Sequence, residues 1–276
     1  MPGYHCAVRG VAQPGSALRS GRRGPQFKSG HPDTAPGEGA LAPPPGAPSI
    51  LMGVLRAVVF DVDFTLARPG PDLGPEGYRV LGQRYGLELD PGRYDEARAA
   101  AFAEVKRHPE LDHDEEIWVL FTERIIVGMG GRGDTYSAAR EMEGRWAHSA
   151  HFELYEDALP ALEAVRRHGL KVGLLSNSSR NLEEFVAHHG LSADAVLTSG
   201  AHGKTKPHES IFRALLEALE VDPLDAVMVG DTLHEDVEGA LAVGMQAVLL
   251  DREGRHLEVA ARLEDLRGLA GALGLE

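Results

Sequence analysis

Three aspartates, a serine and a lysine carry the chemistry that this sequence can do. The stretch AVVFDVDFTLA, Ala57 to Ala67, drives an apolar run into Asp61 and Asp63, with Thr65 two positions on. A second apolar run, LKVGLLSN, ends in Ser176 and Asn177. Lys204 and Lys206 precede a proline-led helical segment, and AVMVGD ends in Asp231, with Asp236 five residues on. If these groups converge, they make a site for a hard cation and a phosphate. Oxygen-only ligation suits Mg2+, which needs one or two carboxylates and takes its other ligands from water and phosphate oxygens. No histidine or cysteine ligand set accompanies them, which counts against zinc.

The elements around these residues decide whether they can meet. LRAVVF (55–60) is short and β-branched, as a buried parallel strand requires. Helical spacing over 158–169 leads to a strand at 170–177, and 179–190 reads as a helix stopped by glycine. A strand at 195–200, a helix at 207–221, a strand at 226–231, a helix at 234–244 and a final strand at 246–251 follow. This alternation predicts an α/β domain with a mostly parallel sheet. In such sheets ligands bind beyond the carboxyl ends of the strands, where all of the candidate residues fall. Residues 71–150 break the rhythm with four helix-like stretches near 75–86, 91–107, 114–128 and 134–148. They are expected to form a helical insertion lying over the site, between core segments 52–70 and 151–276. The RGD within it reads as a turn, with Asp134 as a helix N-cap.

Composition narrows the partners. The net charge of −14 conceals a basic first segment: residues 1–51 hold five Arg or Lys against two acids, leaving 23 basic and 40 acidic groups in the rest. So acidic a body is a poor nucleic-acid partner. A single cysteine, Cys6, rules out a disulfide within the chain and fits a reducing, cytoplasmic setting. No apolar run approaches the roughly 20 residues that span a membrane. Residues 1–51 also hold nine of the 17 prolines and lack periodicity, so they read as a disordered tail. Within it, GVAQPGSALRSGRRGPQFKSGHPD resembles a bacterial proline transfer-RNA gene translated as if coding. The expected true start is therefore Met52.

In order along the chain, DVDFT, LLSN, KP and VGDTLHEDVEGALAVGM resemble the four motifs of the haloacid dehalogenase-like (HAD) hydrolase superfamily, and the insertion resembles its C1 cap. The resemblance implies a Rossmann-like core and a Mg2+-dependent phosphomonoesterase acting on a small phosphorylated metabolite. Asp61 would be the nucleophile that forms an aspartyl-phosphate, and Asp63 the general acid and then base. Asp61, the carbonyl of Asp63 and Asp231 would hold Mg2+. Ser176, Asn177 and the adjoining backbone would bind the phosphoryl group, with Thr65 beside them. Lys206 would neutralise developing charge. It is preferred to Lys204 because a residue before proline is held extended. Asp236 would orient Lys206 or a metal-bound water.

Other readings stand beside this one. Ser176 could cap the helix that follows it. A phosphomutase of the β-phosphoglucomutase kind would use the same core and need basic cap residues, for which Arg84, Arg93, Lys106 and Arg124 are available. A 2-haloacid dehalogenase needs neither Asp63 nor Asp231, and their presence argues against it. His202, His208 and His234 read as ordinary loop or surface histidines, and Trp118 and Trp146 as cap core. Phe64 stands where this superfamily commonly has a small residue, and would narrow the site or pack on the cap. A monomer or homodimer is expected.

Overall fold

A computed structural model of the chain describes residues 54–105 and 108–275. The expectations for residues 1–51 and for a start at Met52 lie outside the described residues, as does Lys106. Among the described residues eight strands form: β1 (Ala57–Phe60), β2 (Ala67–Pro69), β3 (Phe152–Leu154), β4 (Lys171–Ser176), β5 (Ala195–Thr198), β6 (Ala226–Gly230), β7 (Gln246–Leu250) and β8 (Arg262–Leu263). Six of them make one parallel sheet in the order β5-β4-β1-β6-β7-β8. The chain therefore has the expected α/β class. The sixth strand, β8, is an addition: the sequence reading ended the sheet at 246–251, and a two-residue edge strand carries no periodic signal.

β1 lies at the centre, paired on one side with β4 and on the other with β6. Its residues alternate between two apolar layers. Val58 and Phe60 enter the layer with Val172, Leu174, Val227, Val229, Leu162 and Phe185, whereas Ala57 and Val59 enter that of Leu175, Met228, Ile211, Phe212 and Leu215. Burial on both faces is why the strand reads as an unbroken apolar run.

Ten α-helices accompany the strands among the described residues. The insertion holds α1 (Pro75–Arg84), α2 (Tyr94–Ala103), α3 (Glu115–Gly128) and α4 (Thr135–Trp146). The core adds α5 (Ala158–Arg167), α6 (Leu182–His189), α7 (Ser199–His202), α8 (Glu209–Leu219), α9 (Gly239–Ala242) and α10 (Leu269–Ala272). Asp134 caps α4 by accepting from Ser137 N. α6 begins later than its apolar spacing suggests, because Asn181 and not Ser176 is its N-cap, accepting from Glu184 N. The helix expected over 234–244 opens instead as a π-helical turn, Leu233–Glu238, which feeds α9. No helix among the described residues is long and apolar enough to cross a membrane.

The insertion leaves and re-enters the core through β2 and β3, which pair antiparallel. A second seam joins it to the core. His113 N donates to Gly203 O and Thr205 N to Leu111 O, while Lys204 Nζ lies 2.6 Å from Asp112 Oδ1. His113 also sits between two core hydroxyls, with Nδ1 2.8 Å from Ser199 Oγ and Nε2 2.9 Å from Ser179 Oγ.

One buried ion pair fixes the base of the β2–β3 linker. Arg252 donates to both oxygens of Asp157, at 2.9 Å each, and to Thr65 O at 3.0 Å, while Leu266 N donates to Asp157 Oδ2. Removing one member of such a pair leaves the other without its counter-charge. Asp157→Ala is expected to lower the unfolding free energy by about 3 kcal/mol, the low end of the range for breaking a buried pair. Urea denaturation checks this, and a change within about 0.5 kcal/mol would show the pair to be energetically idle.

Candidate active site

Parallel pairing sets the level at which each functional side chain emerges. Phe60 is opposite Leu174 and Val229, so Asp61, one residue beyond, stands level with Leu175 and Gly230 and continues the ladder through Asp61 N→Val229 O. Ser176 closes β4, and Asp231 follows β6 directly. Gly230 is required for the closure of the site: a Cβ there would lie 2.3 Å from the Asp236 carboxyl carbon. Only glycine lets Asp236 fold back against the strand end.

Lys206 binds these strand ends together. Its ammonium, 2% exposed, donates to Asp61 Oδ1 at 2.7 Å, Asp236 Oδ1 at 2.6 Å and Leu175 O at 3.2 Å. Burial alone would lower a lysine, but Asp236 and Asp61 override it and hold Lys206 above the ordinary range. Lys204 is turned the other way, to Asp112 and to Glu110 O of the insertion. The two lysines are thus separated in space as well as in surroundings.

Carboxylates outnumber cations here. Asp61, Asp231 and Asp236 can each place one oxygen within 4.8 Å of the others. Burial pushes Asp61 well above the usual carboxylate range, with Asp236, Asp231 and Asp63 adding to it against the pull of Lys206. Burial and Asp236 likewise raise Asp231 to about 7. Arg255 relieves Asp231 weakly, being half-exposed and 3.9 Å away. With Lys206 balancing one of three acids, a divalent cation matches the remaining charge, and the all-oxygen donor set fits a hard ion. Both oxygens of Asp236 are already taken, one by Lys206 and the other by Thr232 N at 3.0 Å.

Asp63, half-buried, has separate partners. Its Oδ2 is 3.1 Å from Ser176 Oγ, and its Oδ1 accepts from Arg180 Nη1 at 2.9 Å. Ser176 Oγ lies 2.9 Å from Ser178 Oγ, so by accepting from Ser178 it can donate to Asp63.

Two residues expected beside the substrate have structural surroundings. The Asn177 side chain is consumed in holding the Lys206 loop: its Oδ1 accepts from Lys206 N at 2.7 Å, and its Nδ2 donates to Lys206 O and to Glu235 Oε2. Thr65 is fully buried beneath the turn, with its hydroxyl unpartnered among the described residues. An amide that matches a backbone N–H and C=O pair, and a β-branched residue under a tight turn, both serve structure first. His202 and His208 are tied to Ser210, and His234 to Glu238, as structural histidines.

The sequence reading missed Arg180 and Glu143. Arg180 is four residues beyond Ser176, in the same strand-end loop, and its basic character was the available signal. Glu143, on α4, is raised to about 7 by burial, with Glu115 and Asp63 adding to it and Arg180 opposing. Nothing in its spacing distinguishes it from other helix acids. Phe64 has φ +63°, the left-handed region that favours glycine. Its ring packs toward the insertion, 5.3 Å from the Arg98 guanidinium of α2.

Comparison with known proteins agrees with this arrangement. The family model of the haloacid dehalogenase-like hydrolases matches residues 55–244. The chain belongs to the haloacid dehalogenase-like hydrolase family. A phosphatase of Mycobacterium tuberculosis is 39% identical over 142 residues, covering 50% of this chain and 64% of that one. The phosphoserine phosphatase of Thermus thermophilus is 30% identical over 245 residues, covering 77% of this chain and 97% of its own. Among solved structures, an HAD phosphatase from Thermococcus onnurineus superposes with a TM-score of 0.57 at 31% identity, covering 80% of this chain and 99% of that one. The chain is thus an HAD hydrolase of phosphatase type, and its four-helix insertion is called the cap below.

The crowding of acids has a measurable consequence. The Asp231 carboxyl ordinarily titrates near 3.8 and in the folded protein near 7. For an acid raised in this way, the stability contribution is fully present below the unfolded value and is lost as pH climbs through the folded one. In chelator, Asp231→Asn is therefore expected to melt above the wild type at about pH 8, with the gap closing toward about pH 4. Each kcal/mol relieved corresponds to roughly 2–4 °C. A gap that does not vary with pH would contradict a carboxyl raised by burial and by Asp236.

Proposed function

We propose that the protein is a Mg2+-dependent phosphomonoesterase that releases phosphate from a small phosphorylated metabolite through an aspartyl-phosphate. The observation that carries this reading is the pairing of Asp61 with Lys206 beside the acid-rich end of β6, with Asp63 two residues away on a separate set of partners. Asp61 keeps one carboxylate oxygen on Lys206, which fixes its orientation, and attacks phosphorus with the other. The leaving alcohol takes its proton from Asp63. Water then attacks the aspartyl-phosphate, with Asp63 accepting the proton and Asp61 regenerated. Lys206 remains charged throughout and opposes the negative charge that gathers on the phosphoryl oxygens. Ser176 holds Asp63, and the backbone after β4 faces the phosphoryl group. Asp61, Asp231 and the Asp63 carbonyl would hold Mg2+, which when bound supplies charge neutralisation for the phosphate and the carboxylates around it.

The phosphomutase stays as the second reading: of the cap bases it could use for a second phosphate, Arg84 is paired with Glu141 and Arg124 with Glu104, while the Arg93 side chain has no ion-pair partner among the described residues. The dehalogenase alternative leaves Asp63 and Asp231 without a role.

A panel of phosphorylated metabolites, beginning with phosphoserine because of the Thermus relative, tests the proposal together with 4-nitrophenyl phosphate. Phosphate release is expected with Mg2+ and to be abolished by chelator. Asp61→Asn is expected to lower kcat/KM by on the order of 10³ or more, as loss of a covalent nucleophile does. Release that survives chelation or this substitution would overturn the mechanism. Isomerised sugar phosphate without free phosphate would favour the mutase.

A further inference from the structure

We infer that Arg180 is a positioning residue for Asp63, and that it couples the placement of that carboxylate to the seating of the cap. The inference rests on the reading of Asp63 as proton donor to the leaving group.

Arg180 is buried, with its side chain 1% exposed. Its planar guanidinium meets four separate parts of the protein. Nη1 donates to Asp63 Oδ1 at 2.9 Å. Nε donates at 3.2 Å to the carbonyl of Trp146, the last residue of cap helix α4. The guanidinium carbon lies 3.6 Å from the ring centre of Phe152, the first residue of the return linker β3, and 5.4 Å from that of Phe185 on α6.

The rigidity of the group is what links these contacts. In a guanidinium the Nε and Nη donors keep fixed relative directions, so one cannot be re-aimed without the other. The cap carbonyl and the linker ring hold the plane, and the plane aims Nη1 at Asp63. Ser176 Oγ approaches the opposite oxygen of the same carboxylate at 3.1 Å. Asp63 is thus held from both sides, once by the core and once by a group whose orientation depends on the cap. A displaced α4 end or β3 takes away the partners that fix Arg180, and with them one of the two supports of Asp63. Glu143, also on α4, places a further carboxylate near Arg180.

Two aryl esters separate positioning of the acid from a general structural role. Phenyl phosphate needs its leaving oxygen protonated far more than 4-nitrophenyl phosphate, whose phenolate leaves readily. Both pass through the same aspartyl-phosphate and the same hydrolysis. The ratio of their kcat/KM values therefore reports on proton donation and does not depend on the fraction of enzyme folded. Arg180→Met, Arg180→Lys and Phe152→Leu are compared with the wild type, all with Mg2+ supplied.

Arg180→Met is expected to lower kcat/KM for phenyl phosphate about 10-fold more than for 4-nitrophenyl phosphate, part of the roughly 10²–10⁴ that a general acid supplies. Arg180→Lys should fall between, since an ammonium can meet Asp63 without the fixed fork that also holds Trp146. Phe152→Leu keeps Arg180 and should move the ratio in the same direction by about 3-fold, a share of the same general-acid contribution. Equal losses on both esters, total loss included, would overturn the positioning role. A ratio moved by Arg180→Met and untouched by Phe152→Leu would overturn the coupling to the cap. A wild type that hydrolyses neither ester, or an Asp61→Asn protein that hydrolyses both, would defeat the phosphatase reading beneath.

Discussion

A buried ammonium shared between two carboxylates organises this protein. Lys206 comes from the start of the α8 segment, Asp61 from the end of β1 and Asp236 from the turn after β6, so one side chain joins three separate stretches of chain. A lysine taken fully out of water is tolerated only with such partners. Its hydrogen bond to Leu175 O engages the end of β4 as well. The same contact that neutralises part of the acid cluster thus brings its members to one place. What it leaves unbalanced is a local excess of negative charge, which suits a divalent cation and opposes folding in its absence. Function and stability draw on this cluster in opposite directions.

The parallel sheet makes the cluster possible by bringing three strands to an end at the same level. Beyond that level, close approach is arranged by small means: Gly230 admits Asp236 against the backbone, and Asn177 clamps both backbone groups of Lys206. The Asn177 clamp is a backbone mimic, since one amide replaces the carbonyl and N–H that a neighbouring strand would provide. It therefore fixes the backbone of Lys206 and leaves that lysine's ammonium to Asp61 and Asp236.

Much of this was legible in the sequence because it depends on local periodicity. The unbroken apolar run of β1, the helical spacing of the four cap helices and the acids just beyond strand ends are written in consecutive residues. Chain topology places Asp61, Asp63, Lys206, Asp231 and Asp236 at one end of the sheet. Side-chain direction was less legible. Thr65 and Asn177 stand in the expected segments, yet one is buried under its own turn and the other is spent on the backbone. The π-helical turn at Leu233–Glu238 has the apolar spacing of an ordinary helix, and the Asp236 within it bonds to Lys206 and Thr232 N, partners that the spacing does not show. Arg180 offers only its charge as a signal, for a related reason: its partners, Trp146 and Phe152, belong to the cap and its linker, far off in sequence. A strand-end loop announces a site, but not which of its side chains reach across to another element.

Phe64 shows how closely the cap is drawn into the chemistry. A non-glycine residue in the left-handed region costs roughly 1–3 kcal/mol and persists where its surroundings over-determine it. Here Phe64 N donates to Ala67 O, Leu66 N and Ala67 N both donate to Val62 O, and Arg252 holds Thr65 O. The turn is closed from within and braced from the linker, and it directs the Phe64 ring toward Arg98 of the cap. The residue beside the proposed proton donor therefore touches the cap through its side chain, while the donor itself touches Arg180, which is held by the cap's last helix and return linker. The third junction, between residues 111–113 and 203–205, abuts Lys206. Each of these three contacts between cap and core thus lies next to a residue placed here with Asp61 in the proposed site. The cap is therefore bonded to neighbours of the proposed nucleophile, which links its position to theirs.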